Sequence, residues 1–350
     1  MDYRAPRWLT GQGSWGGNAQ TIFPALYSQA WPGPLGHGPT RLPLQGDPRL
    51  QRVAYRRERW TAPDGDFVDL DFLDAALQAG RDAGQVPMLV LFHGLEGSSQ
   101  SHYSRAFALW AHSQGWAFAV SHFRGCSGEL NLAPRTYHSG DHAEIDWILA
   151  RLATSHAGPM MAVGVSLGGN VLMRWVQEAG SLATQRLKAA VAVSSPLDLA
   201  ACGHHIGRGF NRLVYTRMFL NSMKPKALAK LAQHPGLFDA DKLRDARDLY
   251  AYDAAFTAPL HGFASTEDYW ARCSAQPGLI AMRELPVLLV NARNDPFIPA
   301  DSLPTLADIG PAVTLWQPAE GGHVGFPAGR FPGHVAALPQ AVGAWLHTHL

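Results

Sequence analysis

The chain has 350 residues, 47% hydrophobic and 16% charged, with a formal net charge of +1 when histidine is neutral. Such a composition excludes a disordered chain and gives no overall bias toward nucleic acid, while the length allows one enlarged domain or two smaller ones. Cys126, Cys202 and Cys273 are odd in number and far apart, which excludes a disulfide scaffold and a clustered zinc site; no metal or other cofactor is expected.

Residues 1–50 are rich in Gly, Pro and Trp, show little periodicity, and read as an irregular segment laid over a core. They lack a basic start followed by an apolar stretch, and no apolar run reaches membrane-spanning length, so a soluble, cytoplasmic protein is expected. Val53 to Trp60 and Phe67 to Leu73 flank Pro63-Asp64-Gly65, which predicts an antiparallel hairpin. Strands and helices then alternate. Val86 to Phe92 and Trp116 to Val120 read as strands, with Tyr103, Phe107, Trp110 and Ala111 marking a helix face between them. Ile145, Ile148, Leu149 and Leu152 mark a second helix.

Met160 to Val165 is an apolar run that predicts a buried parallel strand, and it leads into Gly164-Val165-Ser166-Leu167-Gly168. Leu172, Trp175, Val176 and Ala179 then fall at helical spacing, with a stop near Gly180. Strand, serine turn and helix in that order are what a nucleophile elbow requires, because the serine must sit on a sharp turn with no side chains colliding across it. An ordinary Gly-rich turn is the alternative for the motif taken alone. Ala189 to Val193, Pro286 to Val290 and Val313 to Trp316 predict further strands, and Val342, Trp345 and Leu346 a closing helix begun by Pro339. The alternation predicts a mainly parallel sheet with helices on both faces. From about Asp198 to Arg283 it is interrupted by a helix-rich stretch far longer than an ordinary crossover, which reads as a cap over the C-terminal edge of the sheet.

A serine hydroxyl is a weak nucleophile unless a base takes its proton and an acid orients that base. Asp295 is the only carboxylate of the loop Asn291 to Phe297, and His323 the only histidine of Glu320 to Phe326; both loops follow predicted strands. Ser166, Asp295 and His323 therefore stand at strand ends in the order that a hydrolase of this architecture uses. The loop His93-Gly94-Leu95-Glu96-Gly97 lets the Leu95 N–H face a reacting carbonyl oxygen, with the Leu167 N–H as second donor of an oxyanion hole. His204 and His205 lack a carboxylate at ligand spacing and read as cap or surface residues. In Tyr137-His138-Ser139-Gly140-Asp141, Asp141 is placed as a helix N-cap and His138 as structural support or pocket lining.

These residues resemble the YheT-like, EMB-type α/β-hydrolase-fold esterases, relatives of mammalian abhydrolase-domain lipases. The resemblance runs over nearly the whole chain: Gly17-Asn18-Ala19-Gln20-Thr21-Ile22, Pro63-Asp64-Gly65-Asp66, His93 to Ser98, Arg124 to Glu129, Tyr137 to Asp141, Ser166 to Asn170, Phe256 to Pro259 with Gly262-Phe263, and Gly322 to Phe326. It implies a Ser166, Asp295 and His323 relay. The chain departs from the family at Asn294, where a second aspartate is frequent, and at Asn18, where histidine is common. The expected fold is α/β-hydrolase: an N-terminal segment (1–50), a core (51–197 and 284–350) and a helical cap (198–283). The expected activity is a serine hydrolase of short- to medium-chain or lipid esters. An acyltransferase with the same relay and a non-catalytic ligand-binding protein are the alternatives. The expected partner is a small ester, with no nucleic acid, and the sequence leaves the oligomeric state open. From Leu199 to Phe238 there is no Asp or Glu, while Arg208, Arg212, Arg217, Lys224, Lys226 and Lys230 alternate with apolar residues. This cap segment is read either as a packed lid with solvated bases or as a peripheral contact with anionic membrane.

Overall fold

The computed structural model describes residues 2–10, 14–28, 30, 44–45, 52–74 and 85–350. Strands β1 (Leu44–Gln45) and β2 (Arg52–Val53) form a small antiparallel pair. Eight more form the main sheet: β3 (Arg56–Thr61), β4 (Phe67–Leu73), β5 (Met88–Phe92), β6 (Ala117–Ser121), β7 (Met160–Val165), β8 (Ala189–Val193), β9 (Val287–Val290) and β10 (Val313–Trp316). Their order is β10-β9-β8-β7-β5-β6-β4-β3; β10 through β6 are parallel, and β4 and β3 are antiparallel to their neighbours. The predicted hairpin is β3–β4, and each later predicted strand is found within two residues of its expected start.

The core strands read as unbroken apolar runs because both faces of the sheet are covered. Alternate residues of β5 serve the two layers. Val90 and Phe92 pack with Ile145 and Ile148 of α3 (His142–Ser155) and with Leu172 and Trp175 of α4 (Leu167–Ala179). Leu89 and Leu91 pack with Phe107 and Trp110 of α2 (His102–Ser113) and with Val342 and Leu346 of α13 (Ala337–His347). Each such fully buried side chain contributes about 1.5–3 kcal/mol. Pro339 stands in the first turn of the closing helix, a position that needs no N–H donor. The sheet order reverses at β5, whose neighbours β6 and β7 both follow it in sequence. A crevice opens at the C-terminal ends of strands at such a point.

One expectation needs correction. The segment 1–50 was expected to be irregular, yet Ser14–Tyr27 is a helix, α1. It contains Gly16, Gly17 and Pro24, poor helix formers that leave no periodic signal, and its contacts with distant loops hold it instead. Most of the remainder of 1–50 lies outside the described residues.

Between β8 and β9 come α5's successors in the chain: after α5 (Leu182–Arg186) and β8 follow α6 (Leu199–Ile206), α7 (Gly209–Asn211), a π turn (Arg212–Thr216) and α8 (Arg217–Gln233). Then come α9 (Ala240–Asp245), α10 (Leu249–Tyr252), a second π turn (Asp253–Thr257), α11 (Ala258–Leu260) and α12 (Thr266–Cys273). This stretch has a small core of its own, with Leu220, Leu243, Tyr252 and Phe256 buried together.

Candidate active site

Ser166 stands between β7 and α4 with φ 53° and ψ −121°, a conformation that costs a non-glycine residue on the order of 1–3 kcal/mol. The flanking glycines are explained by what a side chain would strike. A Cβ on Gly164 would lie 2.4 Å from the Gly168 carbonyl oxygen, and one on Gly168 would lie 2.3 Å from that of Phe92. The turn is therefore packed against itself and against the end of β5.

The structure brings the three predicted side chains together. His323 Nε2 lies 3.1 Å from Ser166 Oγ, and His323 Nδ1 lies 2.9 Å from Asp295 Oδ2 and 3.2 Å from Oδ1. The Asp295 side chain is fully buried, and the Phe297 N–H donates to its Oδ1 at 2.8 Å. Phe297 also stacks on the imidazole with ring centroids 4.0 Å apart. A carboxylate bonded to Nδ1 fixes the tautomer that leaves Nε2 free to accept the serine proton.

Leu95 and Leu167 both border the cavity beside Ser166 and His323. The N–H groups flanking Leu95 are taken: Gly94 donates to Tyr103 Oη at 2.9 Å and Glu96 to Tyr137 Oη at 3.1 Å. His93 braces the loop from beneath. It accepts from the Phe123 N–H at Nε2 (3.1 Å), so its Nδ1–H donates to the Gly94 carbonyl at 2.7 Å, and burial holds its pKa at about 3. Leu167 opens α4, where the first N–H groups have no acceptor within the helix.

Sequence reasoning missed what holds the His323 loop. Four consecutive N–H groups are each received by a different side chain: Gly321 by Gln20 Oε1 (2.9 Å), Gly322 by Asn294 Oδ1 (3.0 Å), His323 by Thr21 Oγ1 (2.8 Å) and Val324 by Ser194 Oγ (3.1 Å). Gln20 Oε1 also accepts from Asn294 Nδ2 at 2.9 Å, tying the loop of Asp295 to the loop of His323 through α1. The approach is close enough that a Cβ on Gly17 would sit 1.8 Å from the Asn294 carbonyl oxygen. Asn294 thus has a use for both ends of an amide. Asn18 Oδ1 accepts from Tyr215 Oη at 2.6 Å and joins α1 to the first π turn.

The cavity over Ser166 has a volume of about 160 Å³ and is mainly apolar, with Leu199, Ile206, Phe219, Met223 and Phe256 from the stretch between β8 and β9 among its lining. Its charged lining residues are neutralised or raised in pKa. Arg124 pairs with Asp64 and Asp66, each at 2.8 Å, and Lys226 with Glu96 at 2.8 Å. Asp253 accepts from Thr257 Oγ1 (2.6 Å) and Trp270 Nε1 (2.9 Å), and burial pushes its carboxyl up to about 6.

Of the other residues singled out, Tyr137 lines the cavity but His138 does not; His138 lies against His261, with ring centroids 4.4 Å apart. Asp141 occupies the N-cap position of α3, but its side chain makes no cap bond and pairs with Arg135 instead. His204 packs on the Trp270 and Tyr250 rings. Among the described residues no group of His, Cys, Asp and Glu is placed to hold a metal ion, and no helix is long and apolar enough to cross a membrane.

Residues 87–329 match the family model for the alpha/beta hydrolase fold. The chain is 40% identical over 297 residues to "Putative esterase YheT" of Escherichia coli (strain K12), covering 84% of this chain and 85% of that protein. It is 30% identical over 287 residues to "Phospholipase ABHD3" of Mus musculus, covering 80% and 68%. Among solved structures, a thermophilic esterase from Thermogutta terrifontis aligns with a TM-score of 0.50 at 18% identity, over 84% of this chain and all of the other. Est1E from Butyrivibrio proteoclasticus, with ferulic acid bound, gives 0.51 at 14% identity over 85% and 99%. These two show a shared fold.

Proposed function

The chain belongs to the α/β-hydrolase family and is esterase- and lipase-like within it; from that premise we propose that it cleaves carboxylic esters with short- to medium-chain or lipid acyl groups through an acyl-enzyme on Ser166. The observation that carries the proposal is the line Ser166 Oγ, His323 Nε2, His323 Nδ1, Asp295 Oδ2, with steps of 3.1 and 2.9 Å, at the floor of an apolar cavity. Ser166 attacks the ester carbonyl as His323 takes its proton, and Asp295 stabilises the imidazolium that forms. The Leu95 and Leu167 N–H groups receive the oxyanion, a contribution of about 10²–10³ in rate for each donor in comparable sites. His323 returns the proton to the departing alcohol and then activates a water that frees the acid. Replacing that water by an alcohol would turn the same centre to acyl transfer.

A ligand-binding protein would need the cavity but not the relay or the strained serine. Ser166→Ala removes one hydroxyl and leaves the turn its glycines. It is expected to abolish hydrolysis of a chain-length series of p-nitrophenyl esters while the thermal melt stays that of the parent. Turnover within tenfold of the parent would overturn the assignment. His323→Ala and Asp295→Asn should each cost several orders of magnitude, and their losses should not add.

A further inference from the structure

The six bases between Leu199 and Phe238 do not share one fate. Lys230 is fully buried, donating to the carbonyls of Asn131 and Ala133 and to Gln233; Lys226 is paired with Glu96, and Lys224 donates to the Arg244 carbonyl at 2.7 Å. Arg208, Arg212 and Arg217 remain exposed, and no carboxylate pairs with them among the described residues. They are interleaved with exposed apolar side chains: Phe210 at 41%, Leu213 at 71% and Met218 at 54% of full exposure. Phe210, Leu213, Arg217 and Met218 lie within nine residues of one another along the continuous run from α7 through the π turn into α8. Trp15, 71% exposed at the start of α1, extends the patch, its ring 5.8 Å from that of Phe210. Helix α8, which carries Arg217 and Met218, presents Phe219 and Met223 to the cavity. An exposed cluster of large apolar groups marks a contact surface.

We propose that this face docks on an anionic lipid surface, with Trp15, Phe210, Leu213 and Met218 entering the interface and Arg208, Arg212 and Arg217 meeting lipid phosphates. Two observations choose this occupant. Exposed apolar side chains interleaved with exposed arginines, with no acid between Leu199 and Phe238, are complementary to a layer that is apolar within and negative at its surface. A second copy, by contrast, would bring the same three arginines against themselves across a two-fold axis. Docking would lay the wall of the ester cavity against the lipid, so the inference draws its purpose, though not its test, from the esterase reading.

The test is sedimentation of the purified protein with vesicles of phosphatidylcholine alone or with one third phosphatidylserine, at low and at high salt. Partition at low salt is expected to be at least tenfold stronger on the anionic vesicles and to weaken as salt rises. Changing Arg208, Arg212 and Arg217 together to Gln should lower it by about a hundredfold, given the usual gain for each base near such a surface. Leu213→Asp should reduce partition on both vesicle types. None of these residues lines the cavity, so hydrolysis of a soluble short ester should match the parent and report intact folding. Equal or absent partition on the two vesicle types at low salt would overturn the proposal. So would parental partition by the triple variant, or a dimer that Leu213→Asp dissolves. Vesicle binding without any ester hydrolysis would preserve the docking face and sink the esterase reading, so the two fail separately.

Discussion

Thr21→Val tests whether α1 sets the register of the loop that carries His323. Thr21 Oγ1 accepts the His323 N–H at 2.8 Å and donates to the Gly17 carbonyl at 2.7 Å. Valine keeps the branched shape and removes both bonds. The His323 N–H is then left in a buried site without an acceptor, at a cost of about 1–3 kcal/mol to the arrangement in which the imidazole faces Ser166. At roughly 1.4 kcal/mol per tenfold, that arrangement loses between about fivefold and about a hundredfold of its population, and kcat should fall in proportion. Thr21 does not line the cavity, so KM should stay within about twofold. Thr21→Ser restores the oxygen and should return kcat to within about threefold of the parent. The assay is steady-state hydrolysis of p-nitrophenyl butyrate, with the thermal melt measured alongside. A folded Thr21→Val enzyme with parental kcat would refute the reasoning, as would a loss that serine fails to repair.

Gly17→Ala should be more damaging than its size suggests, because the new methyl would sit 1.8 Å from the Asn294 carbonyl oxygen and must push α1 from the Asp295 loop; kcat is expected to fall by about a hundredfold, against a parental value if the contact is unimportant. Stability should fall as pH drops below 6.5. His93, His138 and His261 are held by burial at pKa values of about 3 and His102 at about 4, so they stay neutral in the folded chain while the unfolded chain takes up protons from the ordinary value of 6.5 downward. Each contributes stability that is present above 6.5 and is lost toward its folded pKa, with a limiting slope of about 1.4 kcal/mol per pH unit. Urea unfolding at pH 7.5, 6.0 and 5.0 reads it, and a flat profile would contradict it.

The strands were legible because burial on both faces writes itself as runs such as Met160 to Val165, and the elbow because steric crowding leaves glycine as the residue that fits at 164 and 168. Asp295 and His323 were legible from their places after β9 and β10. The clamp was not. Gln20 and Thr21 meet the His323 loop across about three hundred residues, on a helix whose glycines and proline carry no amphipathic period, and a polar side chain bound to a distant N–H leaves no local pattern. The block Gly17 to Ile22 stood out only by resemblance. In the same way, the sign of a charge was legible in Lys224, Lys226 and Lys230, but not that each points to a partner within the fold.

The central claim, an activated serine at position 166, is tested most directly by intact-mass analysis after treatment with a fluorophosphonate at neutral pH. A single adduct that maps to Ser166 is expected, absent in Ser166→Ala and strongly slowed in His323→Ala. No adduct on the folded parent, or an adduct that persists in Ser166→Ala, would contradict the account.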